Sequence, residues 1–191
     1  MIQVICGCMF SGKSTELRRR MNRHLLAGAR CVLITHACDT RYGAPAVTTH
    51  DGSTSQAQAV SRLADARVDG ATIVGVDEAQ FFPDLVECAE AWANSGKLVI
   101  VASLDATFQR AAFPAVAALL CVAESVTKLT AVCSWCGGDA SYTMRTAATV
   151  ADPLDTDDGS LVGGTEAYKA ACRACWFDAS SSHARLPGRL Q

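Results

Sequence analysis

The sequence predicts an α/β chain: a parallel sheet flanked by helices, followed by a small metal-holding lobe. Three observations carry this. Short apolar runs alternate with helix-period segments from residue 2 to about residue 104. A glycine-bearing loop joins the first run to the first helix. After about Val126 the pattern changes to short alternating strands around two Cys-x-x-Cys pairs. The expected division is therefore residues 1–126 for the α/β body and 127–191 for the lobe.

Each element has its own signal. Ile2 to Ile5 is an apolar run of buried-strand type. From Lys13 to Ala27, the side chains Leu17, Met21 and Leu25 recur every four residues and make one helical face, with Gly28 as the stop. Val32 to Ile34 is the next strand. Ser55 to Arg67 has helical periodicity, Thr72 to Val76 is a strand, and Leu85 to Asn94 is helical. Leu98 to Leu104 is a continuous valine-rich strand. In the lobe, Thr127 to Val132 and Ser141 to Arg145 are short strands, and the polar, acid-bearing stretch from Asp152 to Gly164 is a long loop. Loops of that length in compact proteins usually serve function.

Composition limits what the chain is for. Half of the residues are hydrophobic and the formal net charge is −2, which excludes disorder. A pI near 6.1 argues against wholesale coating of nucleic acid. The run Arg18-Arg19-Arg20 with Arg23 reads as a solvated helix face before it reads as a nucleic-acid contact. The longest apolar run, Phe113 to Ala123, contains Pro114 and falls far short of the ~20 residues of a membrane span. The N-terminus has no signal-peptide pattern, so a soluble, cytoplasmic protein is expected.

The first chemical motif is Gly7-Cys8-Met9-Phe10-Ser11-Gly12-Lys13-Ser14, which fits G-x-x-x-x-G-K-S. It follows a predicted strand and opens a predicted helix, as a phosphate loop must. Glycines let successive N–H groups and the helix N-terminus face an anion. Lys13 supplies charge to the β- and γ-phosphates, and the Ser14 hydroxyl is placed to ligate Mg²⁺. The strand ending at Val76 runs into Asp77-Glu78, where Asp77 is the metal-side carboxylate. Glu78 is either the base that takes a proton from the phosphoryl acceptor or a residue that positions water.

The second motif uses four of the ten cysteines: Cys133 and Cys136, then Cys172 and Cys175, with 35 residues between the pairs. Four thiolates suit a closed, tetrahedral, structural Zn²⁺. Gly137-Gly138 is typical of the turn at a zinc knuckle. Redox-active pairs and unrelated buried cysteines are the alternatives. The histidines His24, His36, His50 and His183 lie away from both pairs.

Taken together the segments resemble the thymidine kinases of the cytosolic, tetrameric, zinc-containing type. The carriers are QVICGCMFSGKSTEL from Gln3, DTRYG from Asp39, TTHDG from Thr48, VDEAQFFPDL from Val76, LDATFQRAAF from Leu104, ESVTKLTAVCSWCG from Glu124, and the stretch from LVGGTEAY at Leu161 to the CRAC ending at Cys175. The resemblance implies a RecA-like phosphate-loop sheet and a zinc lobe carrying a substrate loop, or lasso. It implies phosphoryl transfer from ATP-Mg²⁺ to the 5′-hydroxyl of thymidine, and of deoxyuridine as well.

Carried over by position, residues Gly7 to Ser14, Asp39, Thr40, Arg41, Asp77, Glu78, Ala79 and Gln80 face the phosphate donor, and Glu78 is the catalytic base. Phe108 packs on the thymine ring. The lasso main chain at Gly159, Ser160, Leu161, Val162 and Gly163 bonds the base, and Tyr168 closes over the nucleoside. Met9, Leu104 and Phe113 are further walls, and Phe81 joins Phe108 and Tyr168 as stacking surface. Without the resemblance, these aromatics read as plain core residues.

The resemblance also implies a homotetramer and feedback by thymidine triphosphate, with neither nucleic acid nor membrane as a partner. Two departures stand out. Cys8 replaces the usual proline, which leaves the loop less stiff, and the tail after Cys175 lacks the longer regulatory extension of some members. The competing function is a RecA-like ATPase whose zinc lobe binds nucleic acid. A zinc-stabilised nucleotide-binding module without catalysis is a third reading.

Overall fold

A computed structural model describes residues 1–38, 46–48, 54–146 and 167–183. In chain order the strands are β1 (Ile2–Gly7), β2 (Cys31–His36), β3 (Ala46–Thr48), β4 (Thr54–Gln56), β5 (Gln58–Val60), β6 (Ile73–Val76), β7 (Leu98–Leu104), β8 (Ser125–Leu129), β9 (Ala131–Val132), β10 (Asp139–Ala140), β11 (Tyr142–Arg145) and β12 (Tyr168–Ala171). The helices are α1 (Lys13–Leu26), α2 (Leu85–Asn94), α3 (Pro114–Val122) and α4 (Arg173–His183). No helix among the described residues is long and apolar enough to cross a membrane.

Six strands form one parallel sheet in the order β5-β2-β6-β7-β1-β8. Strand side chains alternate between faces, and the core divides accordingly. Val4, Val74, Val76, Val99 and Val101 pack with Phe82, Leu85, Ala89, Val116 and Leu119 from the α2 and α3 side. Ile5, Leu33, Ile73, Ile100 and Ala102 pack with Leu17 and Met21 of α1 on the other face. A Cβ at Gly75 would run into the Met21 sulfur, so the missing side chain is what lets α1 lie this close to β6.

The strand ends fit the periodic pattern closely at β7 and α2, whose observed bounds are those expected. Two segments differ. Ser55 to Arg67 is not a helix: it holds strands β4 and β5 and a 3₁₀ turn at Leu63–Asp65. The open edge of β2 takes Gln58–Val60 as a parallel partner, and Leu63 is fully buried, so sheet pairing overrides the helical periodicity. The stretch from Thr127 is part of β8, which pairs with β1 from Gln3 beside Ser125 to Gly7 beside Leu129. Residue 126 thus falls inside a strand of the sheet.

Asp84 ties two of these pieces together. It precedes α2 but does not cap it with its side chain. Its carboxylate instead accepts from the N–H groups of Leu63 (3.1 Å) and Ala64 (3.0 Å), which open the 3₁₀ turn. Burial pushes the Asp84 carboxyl up, but the Ala64 and Leu63 donors outweigh it, and its pKa lies below the ordinary value. Asp84→Ala leaves the Leu63 N–H without its acceptor, at an expected cost of about 1–3 kcal/mol read from urea unfolding at pH 7. A depressed folded pKa stabilises fully above the unfolded value near ~4 and fades as pH falls through the folded one. The gap between wild type and variant therefore narrows in acid.

Candidate functional site

The site lies at the carboxyl ends of the parallel strands, the usual place for ligands in such sheets. β1 ends at Gly7, the loop follows, and α1 starts at Lys13. Gly7 has φ of 153°, and a Cβ there would strike the Leu129 carbonyl oxygen, so the loop can leave β1 in this direction only without a side chain. The Ser11 hydroxyl and the Lys13 ammonium both donate to the Cys8 carbonyl, at 2.8 Å and 2.7 Å. Burial lowers the Lys13 pKa, and Glu78 is the foremost of the charges opposing that shift. Cys8 and Met9 are buried, whereas Phe10 is exposed with φ of 67°.

Ser14 and Asp77 meet as their motifs require: the hydroxyl donates to Asp77 Oδ1 at 3.0 Å. The same oxygen accepts the Glu78 N–H at 3.0 Å. Burial first, and the neighbouring Glu78 second, push the Asp77 carboxyl up to about 6. A buried carboxylate beside a second acid, touching a hydroxyl, is a donor set that fits Mg²⁺.

Glu78 itself stands in the left-handed region, φ 51° and ψ 43°, a conformation that costs energy for a residue with a Cβ. Its carboxylate is held by Gln80, whose amide donates to Glu78 Oε2 at 2.6 Å. The Gln80 carbonyl in turn accepts from the Leu104 N–H (3.1 Å) and the Ser103 hydroxyl (3.2 Å) at the end of β7. Ala79 is buried in the core beneath them.

Beside the loop, Met9, Ala167 and Tyr168 form a small buried cluster with Leu104 and Phe108 against it. The Phe108 and Tyr168 rings are 6.5 Å apart, and the Arg145 guanidinium lies 5.4 Å from the Phe108 ring. Four of the expected wall residues thus come together. Phe113 packs in the main core cluster with Val4 and Phe82, and Leu104 packs against both that cluster and the Met9–Tyr168 one. Phe81 is half-buried against His36, 5.5 Å between ring centres. Asp39, Thr40, Arg41 and the stretch 159–163 lie outside the described residues.

The lobe brings its four thiols together, with all sulfurs within 4.8 Å of one another. Four Zn–S bonds of ~2.3 Å at tetrahedral angles need sulfurs about 3.8 Å apart. Cys136 Sγ and Cys172 Sγ are 3.7 Å apart, and all four cysteines are free thiols, so the quartet fits a zinc ion. Burial opposes ionisation of Cys133, but the N–H groups of Cys136, Cys172 and Trp135 overcome it and bring its pKa down to about 6. β11 and β12 pair with Arg145 beside Tyr168, and the Thr146 N–H donates to the Ala167 carbonyl at 2.9 Å. The four-cysteine cluster thus lies next to the paired strands β11 and β12, with Cys172 directly after β12.

The lobe also grips the phosphate loop. The Met9 N–H donates to Thr143 Oγ1 at 3.0 Å, and the Cys8 thiol to the Ala140 carbonyl at 3.4 Å. Neither Thr143 nor Ser103 carried a sequence signal. Asp105 did: like Asp77 it follows a valine-rich strand, and it pairs with Lys128 of β8 at 2.8 Å. Two members of the arginine run have structural partners. Arg19 and Arg20 both bind Glu16, and Arg20 also reaches Gln3 and Thr127.

Comparison with known proteins agrees with this geometry. The family model described as thymidine kinase matches residues 1–176. The chain is 49% identical over 178 residues to the cytosolic thymidine kinase of Gallus gallus, covering 92% of this chain and 76% of that protein. It is 47% identical over 189 residues to the cytosolic thymidine kinase of Homo sapiens, covering 97% and 77%. With the thymidine kinase of vaccinia virus (strain Western Reserve) it shares 42% over 179 residues, covering 93% and 97%.

Proposed function

The chain belongs to the thymidine kinase family, and we propose that it phosphorylates the 5′-hydroxyl of thymidine with ATP as donor through the residues gathered at the carboxyl edge of its sheet. It is a nucleoside kinase. The observation that carries the mechanistic reading is the adjacency of three parts. These are the Ser14–Asp77 contact beneath the phosphate loop, Glu78 held by Gln80, and the Met9–Tyr168–Phe108 cluster.

In this reading the N–H groups of residues 7–14 and Lys13 hold the donor phosphates. Mg²⁺, held by Ser14 and Asp77, would neutralise charge on the β- and γ-oxygens. Thymine rests against Phe108 and Tyr168, which turns the 5′-hydroxyl toward Glu78. Glu78 takes the hydroxyl proton as the oxygen bonds to the γ-phosphorus, and ADP leaves with the electrons of the broken P–O bond. The four cysteines would hold Zn²⁺ in a structural role, since four thiolate ligands would leave it no part in the phosphoryl transfer. Residues 39–41 and the lasso at 159–163 complete the donor and base contacts.

Residence in the cytosol belongs to the same proposal, supported by the likeness to proteins named cytosolic thymidine kinase, and a homotetramer and feedback by thymidine triphosphate are proposed with it from the motif resemblance. The competing nucleic-acid ATPase is disfavoured, since two of the four arginines it would use, Arg19 and Arg20, are paired with Glu16. ADP release with thymidine or single-stranded DNA separates the two: stimulation by DNA alone overturns the kinase reading. Replacing Gln80 by leucine removes its hydrogen bond to the charged Glu78 carboxylate, together with the acceptor of the Leu104 N–H and the Ser103 hydroxyl. The expected result is a kcat lower by roughly ten- to a hundredfold with little change in either KM.

A further inference from the structure

The turn between β7 and α3 carries Phe108, and two residues on it carries Arg110. The turn is closed by three hydrogen bonds: Arg110 N–H to the Thr107 carbonyl (2.9 Å), Thr107 N–H to the Ala111 carbonyl (2.9 Å), and Ala111 N–H to Thr107 Oγ1 (3.2 Å). Arg110 sits at φ of 65°, a conformation that an arginine holds only when its surroundings over-determine it. Its guanidinium carbon lies 4.0 Å from the Trp176 ring centre, 4.6 Å from Phe177 and 5.7 Å from Tyr142. Among the described residues its charge is met by ring faces, not by a carboxylate. Stacking of this kind suits the flat, weakly hydrated guanidinium.

These rings belong to the metal-bearing lobe. Trp176 follows Cys175, and its backbone N–H donates to the Cys172 carbonyl at 3.0 Å. Tyr142 lies in β11, beside Ala171 of β12. The same hairpin flanks Phe108, because its neighbours Arg145 and Tyr168 are cross-strand partners. The turn is thus docked on the lobe twice, once through Phe108 and once through Arg110.

We infer that Arg110 is a positioning residue for nucleoside binding: clasped by Trp176, Phe177 and Tyr142, it fastens the turn to the metal-bearing lobe and so holds Phe108 against the thymine. The inference rests on the reading of the Phe108–Tyr168 cluster as the nucleoside pocket. Arg110 touches neither the phosphate loop nor Glu78, so its loss acts on the nucleoside and spares the donor.

The test uses the zinc-loaded enzyme and four variants, Arg110→Met, Arg110→Lys, Trp176→Leu and Phe108→Ala, with zinc content and melting measured on each. Arg110→Met is expected to raise the thymidine KM roughly three- to thirtyfold, the range of one to a few cation–ring contacts. Its ATP KM stays within about twofold and its zinc content is unchanged. Arg110→Lys restores part of the loss, and Trp176→Leu combined with Arg110→Met does no more harm than the worse single change. An unchanged thymidine KM in Arg110→Met, an equal rise in both KM values, or full additivity with Trp176→Leu overturns the inference. Phe108→Ala keeps the two ideas apart. If it leaves the thymidine KM unchanged, the pocket reading fails. If it raises that KM while Arg110→Met does not, only the role of Arg110 falls.

Discussion

Glu78→Gln binds ATP as well as the wild type but transfers phosphate roughly 10²–10⁴-fold more slowly, the usual contribution of a general base. The substitution is close to isosteric, so what it removes is proton acceptance and little else. Three features favour that role. Glu78 adjoins Asp77, which touches Ser14 at the phosphate loop. Its carboxylate is oriented by Gln80, which is itself anchored to β7. Its backbone is held in a left-handed conformation, a cost that active sites commonly carry. Single-turnover rates with a separate ATP titration read the outcome. A normal rate in the variant would remove Glu78 from the base role, and a loss confined to ATP affinity would make it a donor contact.

Cys133→Ser has the second large effect. The lobe is built around Cys8, Ala131, Cys133, Ala140 and Ala170, with Cys172 and Cys175 beside them, which is too little apolar volume to fold a lobe unaided. Losing one ligand of a four-thiolate site is expected to release the metal and melt the β9–β12 region while the parallel sheet persists. If the lobe is then folded in about one molecule in a hundred, the apparent thymidine Kd rises about a hundredfold. ATP binding also weakens, since the Met9 N–H loses Thr143 and the phosphate loop loses a brace. Metal analysis, thymidine titration and melting on one sample check this. Retained affinity and melting without the metal would show that the quartet is dispensable to the fold.

Both effects trace to features that the chain spells out locally. The phosphate loop is eight successive residues, and the acids after β6 follow a run of four apolar or small ones. The cysteine pairs announce themselves by spacing, and β7 and α2 by unbroken hydrophobic patterns. Such signals need no knowledge of what lies across the fold, because the chemistry or the period is complete within one segment.

What escaped depends on residues far apart in sequence. The helical period of Ser55 to Arg67 is real, yet an unpaired sheet edge beside β2 offers Gln58–Val60 more than a helix does. The Val126 region belongs to the sheet because β1 has a free side for β8. Gln80 reads as a donor contact until Leu104 and Ser103 turn its amide toward Glu78. Phe113, at the start of α3, belongs to the main core cluster, against which the expected wall residue Leu104 also packs.

The sequence by itself determined the local motifs of this protein: a G-x-x-x-x-G-K-S segment, a carboxylate pair and a four-cysteine set able to hold a metal ion, each set by short-range order along the chain. Only the tertiary structure decided how those parts are held. The Gln80 relay, the Thr143 brace and the ring box around Arg110 join residues 23 to 134 positions apart, and pairing at that range is settled by packing and hydrogen-bond satisfaction, not by local pattern.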